Sequence, residues 1–220
     1  MRRPGGDQVI PRPANVWVRP YNPWSALDLG PLESAEVVAS RVTDFAARFT
    51  PLPPKENAQI SAVLIGLSDG PHGAEVILTK RSKHMRTYTS EISLPGGRME
   101  ESESPHETAL REAWEEISLL PERVQVIGEL APVTTSFSRT HIVPVVGLVD
   151  LDGEELANNH EVERIIRLPL IELVREDTFA EEHWGTPPTQ LQVFFFYLDD
   201  ETVWGATARM LHQLISIALL

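Results

Sequence analysis

There is no cysteine in the 220 residues. Disulfides, thiol nucleophiles and zinc–thiolate centres are therefore excluded. Basic residues are few: 19 Lys and Arg stand against 32 Asp and Glu, for a formal charge of -13. That balance argues against a broad nucleic-acid surface or binding to an acidic membrane, both of which need basic surface. A small phosphorylated ligand remains compatible, because metal ions and a few local Arg and Lys can offset the field. No apolar run follows Arg2 and Arg3, so no secretory leader is expected. No stretch is long and apolar enough to cross a bilayer, and a cytoplasmic protein is the expectation. Neither an internal repeat nor a low-complexity tract is visible. The remaining composition, 42% hydrophobic and 23% charged, is that of a globular chain. The length suffices for a sizeable core in one domain, or one domain with an added segment.

The first 31 residues are rich in Pro, Gly and Asn, with Trp17, Tyr21 and Trp24 scattered among them. They read as an extension with little regular structure, its aromatics available to pack on the main domain or on a partner subunit. Residues 34–49 have helical spacing, with Val37, Val38, Val42, Phe45 and Ala46 facing inward. Pro51, Pro53 and Pro54 end that helix as a stiff linker. This gives an extension over 1–57 and a main domain over 58–220. Residues 59–67 are apolar and β-branched and read as a central strand. Asp69-Gly70-Pro71 makes a turn into a second strand over 75–79. Further strands are expected at 124–130, 142–149, 161–167 and 191–198, a short helix at 169–175, and a closing helix at 205–219. A polar loop over 132–141, carrying Phe137 and Arg139, can reach over a site at the strand ends. Strands mixed with two or three helices predict an α/β fold, a mixed sheet between helical layers.

The chemistry concentrates between Leu94 and Leu119. Ser104-Pro105-His106-Glu107 has the form of a capping box with Pro at the first helical position. Leu110, Ala113, Trp114 and Ile117 then recur at one-turn spacing as an apolar face. Glu112, Glu115 and Glu116 fall on the opposite side. Glu112 and Glu116, four residues apart, repel by a few tenths of a kcal/mol. A divalent cation would turn that penalty into a site, and oxygen ligands select a hard ion, Mg²⁺ or Mn²⁺. A solvated acidic helix face is the plainer alternative.

Gly97, Glu103, Arg111-Glu112, Glu115-Glu116 and Leu119 stand in the register of the Nudix box, and the stretch resembles that of a Nudix hydrolase. Ser118 occupies the place of a box Gly that normally follows the helix in a left-handed backbone. The resemblance implies an α/β/α sandwich with a mixed sheet between helices and hydrolysis of a diphosphate. It implies Mg²⁺ or Mn²⁺ among Glu112, Glu115 and Glu116, with Glu103 nearby and the Gly96 or Gly97 carbonyl as a further ligand. Arg111 orients a box carboxylate. The general base is Glu115, or a loop carboxylate, Glu161 or Glu163.

Upstream, Leu78-Thr79-Lys80-Arg81-Ser82, Arg86 and Leu94-Pro95-Gly96-Gly97 resemble the motif that precedes the box in coenzyme A pyrophosphatases. Thr108 to Ala113, Pro144-Val145-Val146-Gly147 and Val203-Trp204-Gly205-Ala206-Thr207-Ala208 resemble that subfamily as well. Ser90 and Leu94 depart from it, standing where the motif has Gly and Phe. Lys80, Arg81, Lys83, Arg86 and His84 form a basic island in an acidic chain. Arg offers a planar fork to phosphate oxygens, so Lys80, Arg81, Ser82, Arg86 and Gly96 are the expected substrate contacts. The resemblance implies cleavage of coenzyme A or an acyl-CoA to adenosine 3′,5′-bisphosphate and 4′-phosphopantetheine, by a chain for which a homodimer is compatible. Hydrolysis of ADP-ribose, NADH or another nucleoside diphosphate derivative, or a non-catalytic Nudix-like binding module, are the rival expectations.

Overall fold

The computed structural model describes the chain apart from residues 1, 2, 7, 20, 52, 55–57, 83–89, 136–139 and 152–155. The basic-island residues Lys83, His84 and Arg86, the last an expected substrate contact, and the loop residues Phe137 and Arg139 lie outside the described residues.

The organising layer is a mixed sheet. The central strand β2 (Gln59–Gly70) runs parallel to β8 (Thr140–Val149) and turns at Pro71 and His72 into β3 (Gly73–Arg81). Strand β6 (Val124–Glu129) flanks β8, and β9 (Val162–Pro169) flanks β3, both antiparallel. Strands β2 and β3 are paired only near their turn, from Leu67↔Val76 to Gly70↔Gly73. Beyond it they part, and the segment between β4 (Ile92–Ser93) and β5 (Gly96–Arg98) enters the gap. There β4 pairs with β3 and β5 with β2. This wedge sets Gly96 and Gly97 opposite Val63 and Ala62. A short β7 (Val133–Thr134) pairs antiparallel with the start of β8, beyond the reach of β6.

Helices cover both faces. Helix α2 (Pro105–Ile117) lays Ala109, Ala113 and Ile117 on Ala62, Leu64, Ile77 and Val145. The opposite face packs against α1 (Ala35–Ala46) and α4 (Gly205–Leu219), which share one core with β2, β3 and β8. This is the α/β/α arrangement that the sequence predicts. Helix α1 buries Val38 and Val42, but Val37 is exposed and Ala35 and Ala39 take its expected place. An apolar side chain one step around the helix, roughly 100° away, leaves the buried stripe.

A second, antiparallel sheet orders β1 (Val16–Arg19), β10 (Phe179–Trp184), β11 (Leu191–Tyr197) and β12 (Thr202–Trp204). Only β11 is apolar enough to be read as a strand. Strand β10 carries Glu181, Glu182 and His183, whose charges are satisfied by the chain's first twenty residues: Arg12 reaches Glu182 at 3.0 Å and Arg19 reaches Glu181 at 3.4 Å. Trp24, 2% exposed, packs on Phe179 and Phe196. The residues before 58 therefore share the core of those after it, while Trp17 and Tyr21 stay exposed. A four-residue helix α3 (Leu170–Leu173) follows β9.

Candidate active site

The capping box fixes the start of α2. The Glu107 amide donates to Ser104 Oγ at 3.3 Å, and the Ser104 amide donates to the Glu107 carboxylate at 2.8 Å. The helix ends at Ser118, whose φ of 56° is the left-handed conformation the box Gly would supply. Small side chains, Ala109 and Ala113, let α2 sit close over Ala62 and the wedge. That approach decides where the carboxylates go.

Glu116 turns inward. Its side chain is 7% exposed, it accepts the Gly96 N–H at 3.2 Å, and the Arg81 guanidinium stands 3.8 Å away. Burial pushes its carboxyl up to about 7; Glu112 and Glu161 add repulsion, against lowering by the Gly96 N–H and Arg81. Glu112 lies against Gly97, where a Cβ would overlap its carboxylate. Its carboxyl is also held above the usual range, chiefly by burial. A Cβ at Gly96 would in turn overlap the backbone of Ala62. Close approach to the β2 backbone requires Gly96, and the bare backbone of Gly97 leaves room for the Glu112 carboxylate above it.

Glu115 does not join this pair. It is exposed, and its carboxylate takes a 3.4 Å contact from Arg111. Trp114, expected on the apolar face, is 52% exposed, and Thr108 and Glu116 are buried instead. The buried stripe is narrow and small-sided because the helix lies close to the sheet, so a bulky indole finds no room under it. Arg111 is the hub: its guanidinium donates to Glu103 at 2.7 Å, to Glu112 at 3.0 Å and to the Arg98 carbonyl at 3.2 Å. Glu103 also accepts from Thr108 Oγ1 at 2.8 Å, and the Arg111 bond leads the effects that pull its carboxyl down to about 2.

Among the described residues no three acidic or imidazole side chains already converge enough to enclose an ion. Glu103, Glu112 and Glu115 are drawn to Arg111 as they lie. Glu112 and Glu116 nevertheless present oxygen donors whose negative charge is only partly met, Glu116 by one arginine at its edge. An oxygen-only set of this kind fits Mg²⁺ or Mn²⁺.

Of the expected substrate contacts, Arg81 faces Glu116 and Ser82 is buried beside β9, its N–H donating to the Glu161 carbonyl at 2.7 Å. Lys80 departs from expectation. Successive strand residues point to opposite faces, so Lys80 lies on the other side of β3, held by Glu201 at 2.7 Å and Glu163 at 3.7 Å. That pairing also takes Glu163 away from Glu116. Glu161 is the loop carboxylate whose charge acts on Glu116.

Asn159 was not singled out by sequence reasoning. Its N–H donates to the Glu116 carbonyl at 3.1 Å and its Nδ2 to the Glu115 carbonyl at 2.9 Å, so a loop far along the chain satisfies the end of α2. Its Oδ1 accepts from the Glu161 N–H at 2.8 Å. The only local signal was an Asn pair before a strand.

A glycine wedge, a capped helix and paired carboxylates at this spacing are the parts of one family's catalytic element, and residues 58–190 match the NUDIX domain model. The chain belongs to the Nudix hydrolase family. Its relatives include the uncharacterized Nudix hydrolase NudL of Photorhabdus laumondii, 33% identical over 180 residues, covering 79% of this chain and 95% of that protein. The NudL of Yersinia enterocolitica is 32% identical over 181 residues, 79% of this chain and 91% of that one. Among solved structures, the Nudix hydrolase RenU of M. smegmatis aligns with 57% of this chain and 75% of its own, at 20% identity and a TM-score of 0.45.

Proposed function

We propose that the protein is a metal-dependent diphosphatase that cleaves the diphosphate linkage of a nucleoside diphosphate derivative, with coenzyme A or an acyl-CoA as the substrate. The observation that carries the hydrolase reading is the pair of carboxylates, Glu112 half-buried and Glu116 buried, converging on Gly96 and Gly97 in a chain of this family. The coenzyme A reading rests on the motif from Leu78 to Gly97.

Glu112 and Glu116 would hold Mg²⁺ or Mn²⁺, with Glu115, Glu103 and the Gly97 carbonyl as the further oxygen donors. When bound, the ion supplies the positive charge that diphosphate oxygens need and acidifies an attacking water. Arg81 meets charge that develops on the phosphoryl oxygens in the transition state. Ser82 and the Gly96 backbone border the same oxygens, and Arg86 is a further substrate contact on the strength of the motif alone. The water oxygen bonds one phosphorus as the bridging P–O bond breaks, and its proton passes to a carboxylate. Glu161, whose charge acts on Glu116, suits that role better than Glu163, which is spent on Lys80; Glu115 is the alternative within the box. Arg111 positions Glu103 and Glu112 rather than touching substrate.

The test is a panel of coenzyme A, acetyl-CoA, ADP-ribose and NADH, incubated with Mg²⁺ and again with Mn²⁺ and read by mass spectrometry. Adenosine 3′,5′-bisphosphate and 4′-phosphopantetheine are the expected products. Adenosine monophosphate from ADP-ribose or NADH, with coenzyme A intact, would overturn the substrate; no turnover of any compound would overturn the activity.

A further inference from the structure

A cleft of about 210 Å³ opens where β4, β7 and the second sheet meet the start of α4. At roughly 30 Å³ per water, it holds the equivalent of several waters. It adjoins the site just described through Arg81, whose charge acts on the Glu91 carboxylate in its wall. Glu91, Ile92 and Ser93 form one wall, and Gly96, three residues on, donates to Glu116. At about 3.3 Å per extended residue, three residues span at most roughly 10 Å. The Arg81 N–H donates to the Glu91 carbonyl at 2.9 Å while the Arg81 guanidinium faces Glu116. Arg81 thus stands where cleft and carboxylates adjoin.

The lining decides what the cleft accepts. Its far wall is Val193 with Trp184 and Trp204, and these two indoles lie 6.1 Å apart at 33°. Trp204 stacks on Phe195, and Trp184 Nε1 is bonded to Glu182 at 2.7 Å. The aromatics therefore make a continuous wall rather than a parallel slot into which a flat base could slide. The polar side chains of the lining are the Glu91 carboxylate, the hydroxyls of Ser93, Thr134, Thr135 and Thr207, and the Gln192 amide. Among the described residues Arg209 is the one cation of the lining, beside the Glu91 carboxylate, too little for a run of phosphates. A cleft with an aromatic wall, neutral hydrogen-bonding groups and a carboxylate that disfavours further phosphate matches a slender uncharged chain carrying amides or hydroxyls.

We infer that this cleft receives the uncharged arm of the diphosphate substrate, a partly apolar chain with amide or hydroxyl groups, and that it selects such substrates over those with a second nucleoside. The inference rests on the diphosphatase reading and names the group that sets its specificity. Binding energy gained on an arm remote from the reacting phosphorus raises kcat/KM for substrates that carry it.

The experiment compares kcat/KM for coenzyme A with that for 3′-phosphoadenosine 5′-diphosphate methyl ester, which has the same diphosphate and no arm. Wild type is expected to prefer coenzyme A at least tenfold. Ala206→Leu, which fills the cleft from the first turn of α4, should lower that ratio at least fivefold. Leu191→Trp, at the exposed rim, should lower it in the same direction without burying anything new. An unchanged ratio in both variants would overturn the inference. Should wild type cleave neither compound, the diphosphatase reading fails and the cleft is judged by saturation-transfer NMR with free pantetheine. Transfer seen with wild type and lost in Ala206→Leu supports the cleft; no transfer at millimolar pantetheine overturns it.

Discussion

Ser118 and Ser90 show how a single position can be legible and surprising together. Each departs from a glycine in the motifs the chain resembles, and each has positive φ, 56° and 61°. The backbone demand of the motif is kept although the residue that meets it most cheaply is absent, at a strain of about 1–2 kcal/mol per position. His212 was silent in the sequence. It sits stacked on Phe194 at 4.1 Å, with Trp24 and Phe179 within 5.7 Å, and burial lowers its pKa to about 4. Glu181 opposes that shift and Arg209 adds to it. The unfolded chain takes up a proton near pH 6.5 and the folded one only near pH 4, so stability is full above pH 6.5 and falls as pH drops through that window. The loss approaches about 3 kcal/mol. Urea unfolding of wild type and His212→Phe from pH 7.5 to 4 should show this extra slope in wild type alone; parallel curves would contradict it.

Elements with a strong period were readable and those stabilised from afar were not. Helix α2 announced itself through Ser104, Pro105 and Glu107, and the central strand β2 through its apolar run. Strands β1 and β10 gave no such signal, because Glu181 and Glu182 are made tolerable only by Arg19 and Arg12 from a remote segment. The faces of α2 were misjudged for a related reason. Periodicity tells which residues share a side, but the close approach to Gly96 and Gly97 decides that Glu116 goes under and Trp114 stays out. The end of α2 likewise depends on Asn159. Asn159→Ala removes the bond to the Glu115 carbonyl and the anchor of the Glu161 N–H, and should cost about 1–2 kcal/mol in urea unfolding. It should also lower kcat for coenzyme A more than it raises KM, since it disturbs Glu116 and Glu161 rather than the cleft. Unaltered stability and kcat would show that α2 is held without this contact.

For the molecule as a whole, the sandwich of helices around a mixed sheet was foreseeable, and packing of the early aromatics on the main domain was one of two expectations, which Trp24 meets. Pro51, Pro53 and Pro54 read as a boundary, yet α1 and Trp24 lie in the same core as α4 and β11. Local sequence marks where a chain turns, and burial depends on partners far along it. Trp24→Ala should destabilise the protein by about 3–5 kcal/mol in thermal or urea unfolding, as one cooperative transition. A loss under about 1 kcal/mol would mean that the early residues are an appendage. The same global view explains why an acidic protein can bury Glu116. The carboxylate is costly to ionise alone and becomes favourable once a cation stands beside it, a trade of stability for function.

The account is tested most directly by the turnover of Glu116→Gln on coenzyme A with Mg²⁺ at pH 8, set beside wild type and normalised to folded protein. The amide keeps the shape, removes the charge, and relieves the cost of a buried carboxylate, so the metal-free variant should melt no lower than wild type. Its kcat should fall by at least about a hundredfold. A folded Glu116→Gln that turns over within a few-fold of wild type would contradict the assignment.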